Sequence, residues 1–169
     1  MTIQDHRTSV PYTGDERAVL TAMLDFQRDT LALKCAGLTP EQLRTRAVDP
    51  SGLSLLGLVR HAAEVERGWF RNTLNGERSR SLWTPPGSTD RADFDVDEAD
   101  VDEAFAVWRE ECVRARAIVA AAASLDVTGT HEGETYSVRY VLAHMIEEYA
   151  RHNGHADLLR ERLDGTTGE

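Results

Sequence analysis

The chain has 169 residues, enough for one domain with a real core, and 41% of them are hydrophobic. Lys and Arg total 19 against 29 Asp and Glu, a formal charge of −10, which argues against a nucleic-acid backbone or an anionic membrane as partner. No apolar run approaches the ~18 residues of a membrane span. The polar start, Met1-Thr-Ile-Gln-Asp-His6, lacks the apolar stretch of a secretion signal, so a cytoplasmic location is expected. Cys35 and Cys112 stand far apart, outside any CxxC pattern, and are expected to be reduced structural thiols.

Helical periodicity dominates the chain and no strand pattern is sustained. The first helix is expected over 15–36, with Asp15 as a cap. Thr39-Pro40-Glu41-Gln42 combines an N-cap, a proline at the first helical position and a capping-box partner, so a short helix follows. Ser54 opens a second long helix to about Leu74, stopped by Asn75-Gly76. A polar stretch with Pro85-Pro86-Gly87 reads as a loop or crossover. Asp100 caps a third helix to about Ala123. Residues 124–136, with Gly129 and Gly133, read as a small hairpin. Ser137 caps the last helix, which runs to about Leu163 before Asp164-Gly165.

Three of these helices carry apolar residues at alternating spacings of three and four. The second has Leu55, Leu58, Ala62, Val65 and Trp69; the third has Val101, Phe105, Trp108, Cys112, Ala115 and Val119. The last has Val138, Leu142, Met145, Tyr149, His152, Ala156, Leu159 and Leu163. Such seams pack helices at shallow angles around one core, which predicts an all-α four-helix bundle over residues 1–169 as a single domain. The first helix has a broader apolar face, wide enough to close the core and to meet a second copy, so a homodimer is expected.

The densest chemistry lies in His144-Met-Ile-Glu-Glu148-Tyr-Ala-Arg-His152-Asn-Gly-His155. His152 interrupts an apolar seam. At ~100° per residue, Glu148 lies ~40° and His155 ~60° from His152 on the same side, while His144 is ~80° away. Residues four apart on a helix have Cβ atoms ~5–6 Å apart, a span one divalent metal can bridge. The alternative is a core histidine hydrogen-bonded to Glu148, because a buried charge without a partner is costly. On the second helix His61 precedes the seam residue Ala62, at the edge of the same core; its alternative is a surface histidine near Glu64 and Glu66. Taken together, His61, Glu148 and His152 make a set of two imidazoles and one carboxylate, which leaves positions open for water or substrate. Such donors suit zinc, and also nickel or iron. Arg151 and His155 are candidates for contacts around the site.

Leu58-Val-Arg-His61, Trp69-Phe70 and Glu148-Tyr-Ala-Arg-His152-Asn-Gly-His155 resemble the DinB-like bundles, over nearly the whole chain. They are closest to the branch that includes mycothiol-dependent maleylpyruvate isomerase. The resemblance implies an antiparallel bundle of up-down-down-up type holding one divalent metal on His61, Glu148 and His152. Many DinB-like proteins carry three histidines; Glu148 in the middle position is a departure shared with the isomerase branch. It also implies an enzyme working with a low-molecular-weight thiol, mycothiol, on a small-molecule substrate, by transfer or isomerisation. The competing expectations are a non-enzymatic metal-binding or stress-response protein, and a plain interaction bundle.

Other signals point elsewhere. Asp93-Phe-Asp95-Val-Asp97-Glu-Ala-Asp100 lacks the glycine and the terminal glutamate of a calcium loop, and reads as an acidic lead-in to the third helix. Thr130-His131-Glu132-Gly133 reads as a surface turn. No GxGxxG or Walker sequence supports nucleotide binding.

Overall fold

The computed structural model describes residues 6–85, 87–88 and 92–168. Most of the polar N-terminal stretch, and Pro86 of the expected proline loop, lie outside the described residues. The protein is mostly helical, with one small two-stranded sheet.

Each helix begins where a side chain can satisfy a backbone N–H that the first turn leaves unpaired. Asp15 accepts from Ala18 N (3.0 Å) and opens α1, Glu16–Cys35. Thr39 and Gln42 form both halves of a capping box on the short α2, Pro40–Arg44. Ser54 accepts from Gly57 N (3.1 Å) to open α3, Leu55–Glu66. Asp100 caps α4, Val101–Ala121, and Ser137 caps α5, Val138–Asp164. Gly165 ends α5 with φ 78°, the left-handed conformation that glycine adopts without strain.

The expected hairpin forms as β1, Thr128–His131, and β2, Glu134–Ser137, with Thr128 opposite Ser137. Its two-residue turn places Glu132 and Gly133 at φ 51° and 88°, the sign that a type I′ connection needs.

One element departs from the expected pattern. The second long helix is not α-helical to Leu74: from Arg67 to Leu74 it continues as a π-helix. Asn75 N bonds back five residues to Phe70 O (3.0 Å), and Thr73 Oγ1 does the same to Gly68 O (3.0 Å). The hairpin presses on this segment so closely that a Cβ on Gly129 would lie 1.9 Å from Thr73 O. A wider turn of this kind is rare and is stabilised by tertiary contacts, which is why a 3.6-residue period does not announce it.

Helix α1 packs along α5, and α3 packs along α4 and against α5, so the apolar seams meet in one core. Leu24, Leu31, Leu58, Phe70, Leu142 and Met145 are among its fully buried side chains. At its centre lies a polar cluster. Glu66 is wholly buried and accepts from Arg28 Nε (2.8 Å) and Nη2 (2.7 Å) and from the Tyr149 hydroxyl (2.8 Å). Trp108 Nε1 donates to the same hydroxyl (2.8 Å). This cluster ties α1, α3, α4 and α5 together, and its satisfied hydrogen bonds offset the desolvation that burying the ion pair costs.

Candidate metal centre

The seams bring α3 and α5 face to face, and three side chains converge between them. His61 Nε2 lies 3.1 Å from Glu148 Oε1, and His152 Nε2 lies 3.3 Å from the same oxygen. One ligand atom from each of His61, Glu148 and His152 falls within 4.8 Å of the others. Two bonds of ~2.1 Å at a tetrahedral angle put their ligand atoms ~3.4 Å apart, close to the two short edges here. Beside the three side chains is a chamber of about 10 Å³, lined otherwise by apolar groups such as Leu31, Leu58 and Val65. That is room for one small occupant and no more. Donor type and the two short edges therefore suit a single divalent ion.

The outer nitrogens of both imidazoles are engaged. His61 Nδ1 lies 2.9 Å from Asp93 Oδ2, and Asp93 is almost fully buried. His152 Nδ1 lies 3.3 Å from His155 Nδ1. With Asp93 accepting from Nδ1, the lone pair of His61 belongs on Nε2, toward the cluster. Asp93 comes from a loop that clasps α3: Arg60 Nη2 donates to Ala92 O (2.7 Å), and the Phe94 ring stacks on His61 at 5.3 Å. Gly57 makes the clasp feasible, since a Cβ there would lie 2.8 Å from Phe94.

The metal-free charges follow from this geometry. Burial draws the His61 pKa down, but hydrogen bonds to Asp93 and Glu148 and their charges outweigh it and hold the imidazole above its ordinary value. Burial pushes Glu148 up, yet the His61 hydrogen bond and the charges of His152, His61 and Arg151 bring it below the usual carboxylate range. His152 is depressed, first by burial and then by the charge on His61. In the metal-free cluster the two flanking carboxylates favour the positively charged form of His61, and a cation would meet the same negative charge.

Sequence reasoning brought His61, Glu148, His152 and His155 to one place, and the structure puts them there. Glu64 and Glu66 are spent elsewhere: Glu64 accepts from Arg67 and from Leu82 N, and Glu66 from Arg28. His144 packs instead on Trp69, with ring centroids 4.5 Å apart. Arg151 sits at the exposed rim, 3.5 Å from Glu148 Oε2. Asp93 was the residue missed. It reads as part of an acidic lead-in to a helix, and the sequence signal near it is the apolar pair Phe94 and Val96 alternating with its aspartates.

A mostly helical fold with a cluster of two histidines and one glutamate between facing helices defines the class of protein. Residues 19–165 match the family model of the mycothiol-S-transferases, and the chain belongs to that DinB-like family, which is related to mycothiol enzymes. Comparison with curated proteins gives no match. Among the described residues, no helix is long and apolar enough to cross a membrane.

Proposed function

We propose that the protein is a divalent-metal-dependent enzyme that transfers the sulfur of mycothiol to a small electrophile, with His61, Glu148 and His152 as metal ligands. In this proposal residues 1–169 form a single domain, an antiparallel four-helix bundle of the DinB type, and zinc is the expected ion. The observation that carries it is the convergence of three ligand atoms to within 4.8 Å of one another, in a chain of the mycothiol-S-transferase family.

A bound divalent ion would supply Lewis acidity, lowering the pKa of a thiol as it does that of water. The chain's own residues do the remaining work. Asp93 and His155 hold the two imidazoles from behind, so that their inner nitrogens face Glu148 Oε1. Apolar Leu31, Leu58 and Val65 keep water from the inner side. The thiol's proton passes to solvent, the sulfur electron pair forms the new S–C bond, and the leaving group departs with the pair of the bond that breaks.

The test is elemental analysis of protein purified without a histidine tag, followed by mycothiol transfer to a chloro-dinitroaromatic acceptor with chloride release. About one divalent ion per chain and metal-dependent turnover are expected. A protein that neither retains nor takes up a metal, or that shows no turnover when loaded, overturns the proposal. One observation favours a second reading, a non-enzymatic metal-binding protein: the three ligand side chains are only 11–17% exposed, as in a closed structural site. Bound metal without thiol turnover would select it.

A further inference from the structure

The π-helical segment Arg67–Leu74 has no part in the metal cluster, yet it is the least ordinary piece of backbone in the protein. π-Helical turns are costly and are found most often at functional sites. This one floors a cavity of about 310 Å³ that runs from His61 and Asp93 at one end to Asn72 and Ser81 at the other. The size is that of a small-ligand site.

The walls combine two kinds of surface. Trp69 presents an indole, held by edge contact with Tyr136 at 5.2 Å. The same cavity is lined by polar groups fixed before any ligand arrives: Glu64 is held by Arg67 and Leu82 N, and Asn72 by Ser79. These bonds leave one lone pair on Glu64 Oε1 and a second amide hydrogen on Asn72 for a ligand. An aromatic face beside rigid carboxylate and amide groups suits a polyhydroxylated ring, which offers C–H faces to the indole and hydroxyls to the polar wall. A second cavity, of about 340 Å³, is lined by Leu24, Phe70 and Leu142 together with Arg17, Asp25 and Arg28. None of His61, Glu148 and His152 lines it, so a thiol bound there has no contact with the cluster.

Gly68 is the decisive residue. It lines the cavity, and a Cβ added there meets nothing within 4 Å. Gly68 is therefore not required by close packing, although glycine within a helix costs ~1 kcal/mol relative to alanine. Its effect is to keep the cavity floor low.

We propose that this cavity over the π-helical segment, lined by Trp69 and Gly68, binds the saccharide end of the thiol, with the sulfur end directed to His61, which lines both this cavity and the chamber beside the metal cluster. This rests on the mycothiol reading above. Mycothiol joins a cysteine to a glucosamine and an inositol. Its cysteinyl arm extends roughly 6 Å between sulfur and sugar. Gly68 lies seven residues, ~10 Å, along the helix from His61, which places the first sugar ring between them.

The experiment uses glucosaminyl-inositol, which lacks the cysteine, and Gly68→Leu, which fills the cavity from its floor. Calorimetry should show the sugar binding to wild type and at least tenfold more weakly to Gly68→Leu, with thermal melting and metal content kept. In turnover, Gly68→Leu should raise KM for mycothiol at least tenfold while leaving N-acetylcysteine and the electrophile unchanged. Trp69→Leu, which removes the wall without filling the space, should weaken sugar binding in the same direction and serves if Gly68→Leu does not fold. No sugar binding to wild type, equal binding to both proteins, or a KM effect confined to the electrophile overturns the proposal. Sugar binding that Gly68→Leu abolishes, without thiol turnover in wild type, keeps this site and overturns the transferase reading.

Discussion

Asp93 Oδ2 sits 2.9 Å from His61 Nδ1, and Phe94 stacks on the same imidazole. A loop residue thereby sets which nitrogen of a helical histidine faces Glu148. Asp93→Ala is expected to weaken metal binding ~10–100-fold with helix content unchanged, as loss of such a partner typically does. Chelator competition measures it, and an unaltered affinity would remove Asp93 from the site. Asp93→Asn, which can still accept from Nδ1, should lose less.

His61→Ala, Glu148→Ala and His152→Ala should each strip the metal, because each supplies one of three converging atoms. His155→Ala should do less, since it touches the chamber only through His152 Nδ1 at 3.3 Å. Metal stoichiometry after gel filtration decides this; full occupancy in all three variants would disprove the ligand assignment.

In metal-free protein the two cluster histidines should titrate on opposite sides of the ordinary value, 6.5, with His61 above it and His152 below. Imidazole NMR resonances followed against pH would show the order, and a reversed order would contradict the geometry. The raised His61 adds stability that is full below 6.5 and is lost as pH rises through its folded value. The depressed His152 acts oppositely, removing stability as pH falls below 6.5. A metal must displace the His61 proton, so affinity should fall about tenfold per pH unit below that group's folded pKa.

The buried cluster at the helix crossing should be sensitive to losing one member. Glu66→Ala leaves the buried Arg28 with Asp25 alone, stripping two of its charge-paired hydrogen bonds, and should cost ~3–5 kcal/mol in urea unfolding. Replacing both, Arg28→Met with Glu66→Leu, should cost less, because no charge is left unpaired. Equal losses for the single and double changes would show that the pair is not what matters.

Both cysteines should be inert in the native state. Burial pushes the Cys35 thiol up to about 12, and burial together with the nearby Glu66 carboxylate pushes Cys112 up as well. Ellman's reagent is expected to label neither at neutral pH and both in denaturant. Fast labelling of the folded protein would show that a thiol reaches the surface.

The starts and ends of the helices were legible in the chain because caps act within four residues. Asp15, Thr39, Ser54, Asp100 and Ser137 each bond where their spacing says they should. The Glu148–His152 pair is local in the same sense: one helical turn fixes it, whatever the helix packs against. His61 was legible only as a seam-edge position, and it took the packing of α3 on α5 to bring its Nε2 to Glu148, 87 positions along the chain. Asp93 and the π-helical segment were decided by tertiary structure alone. No local pattern turns a loop carboxylate inward, and no helical period predicts a wider turn stabilised by a hairpin more than fifty residues away. Both depend on contacts between segments remote in sequence, and those exist only once the core has formed.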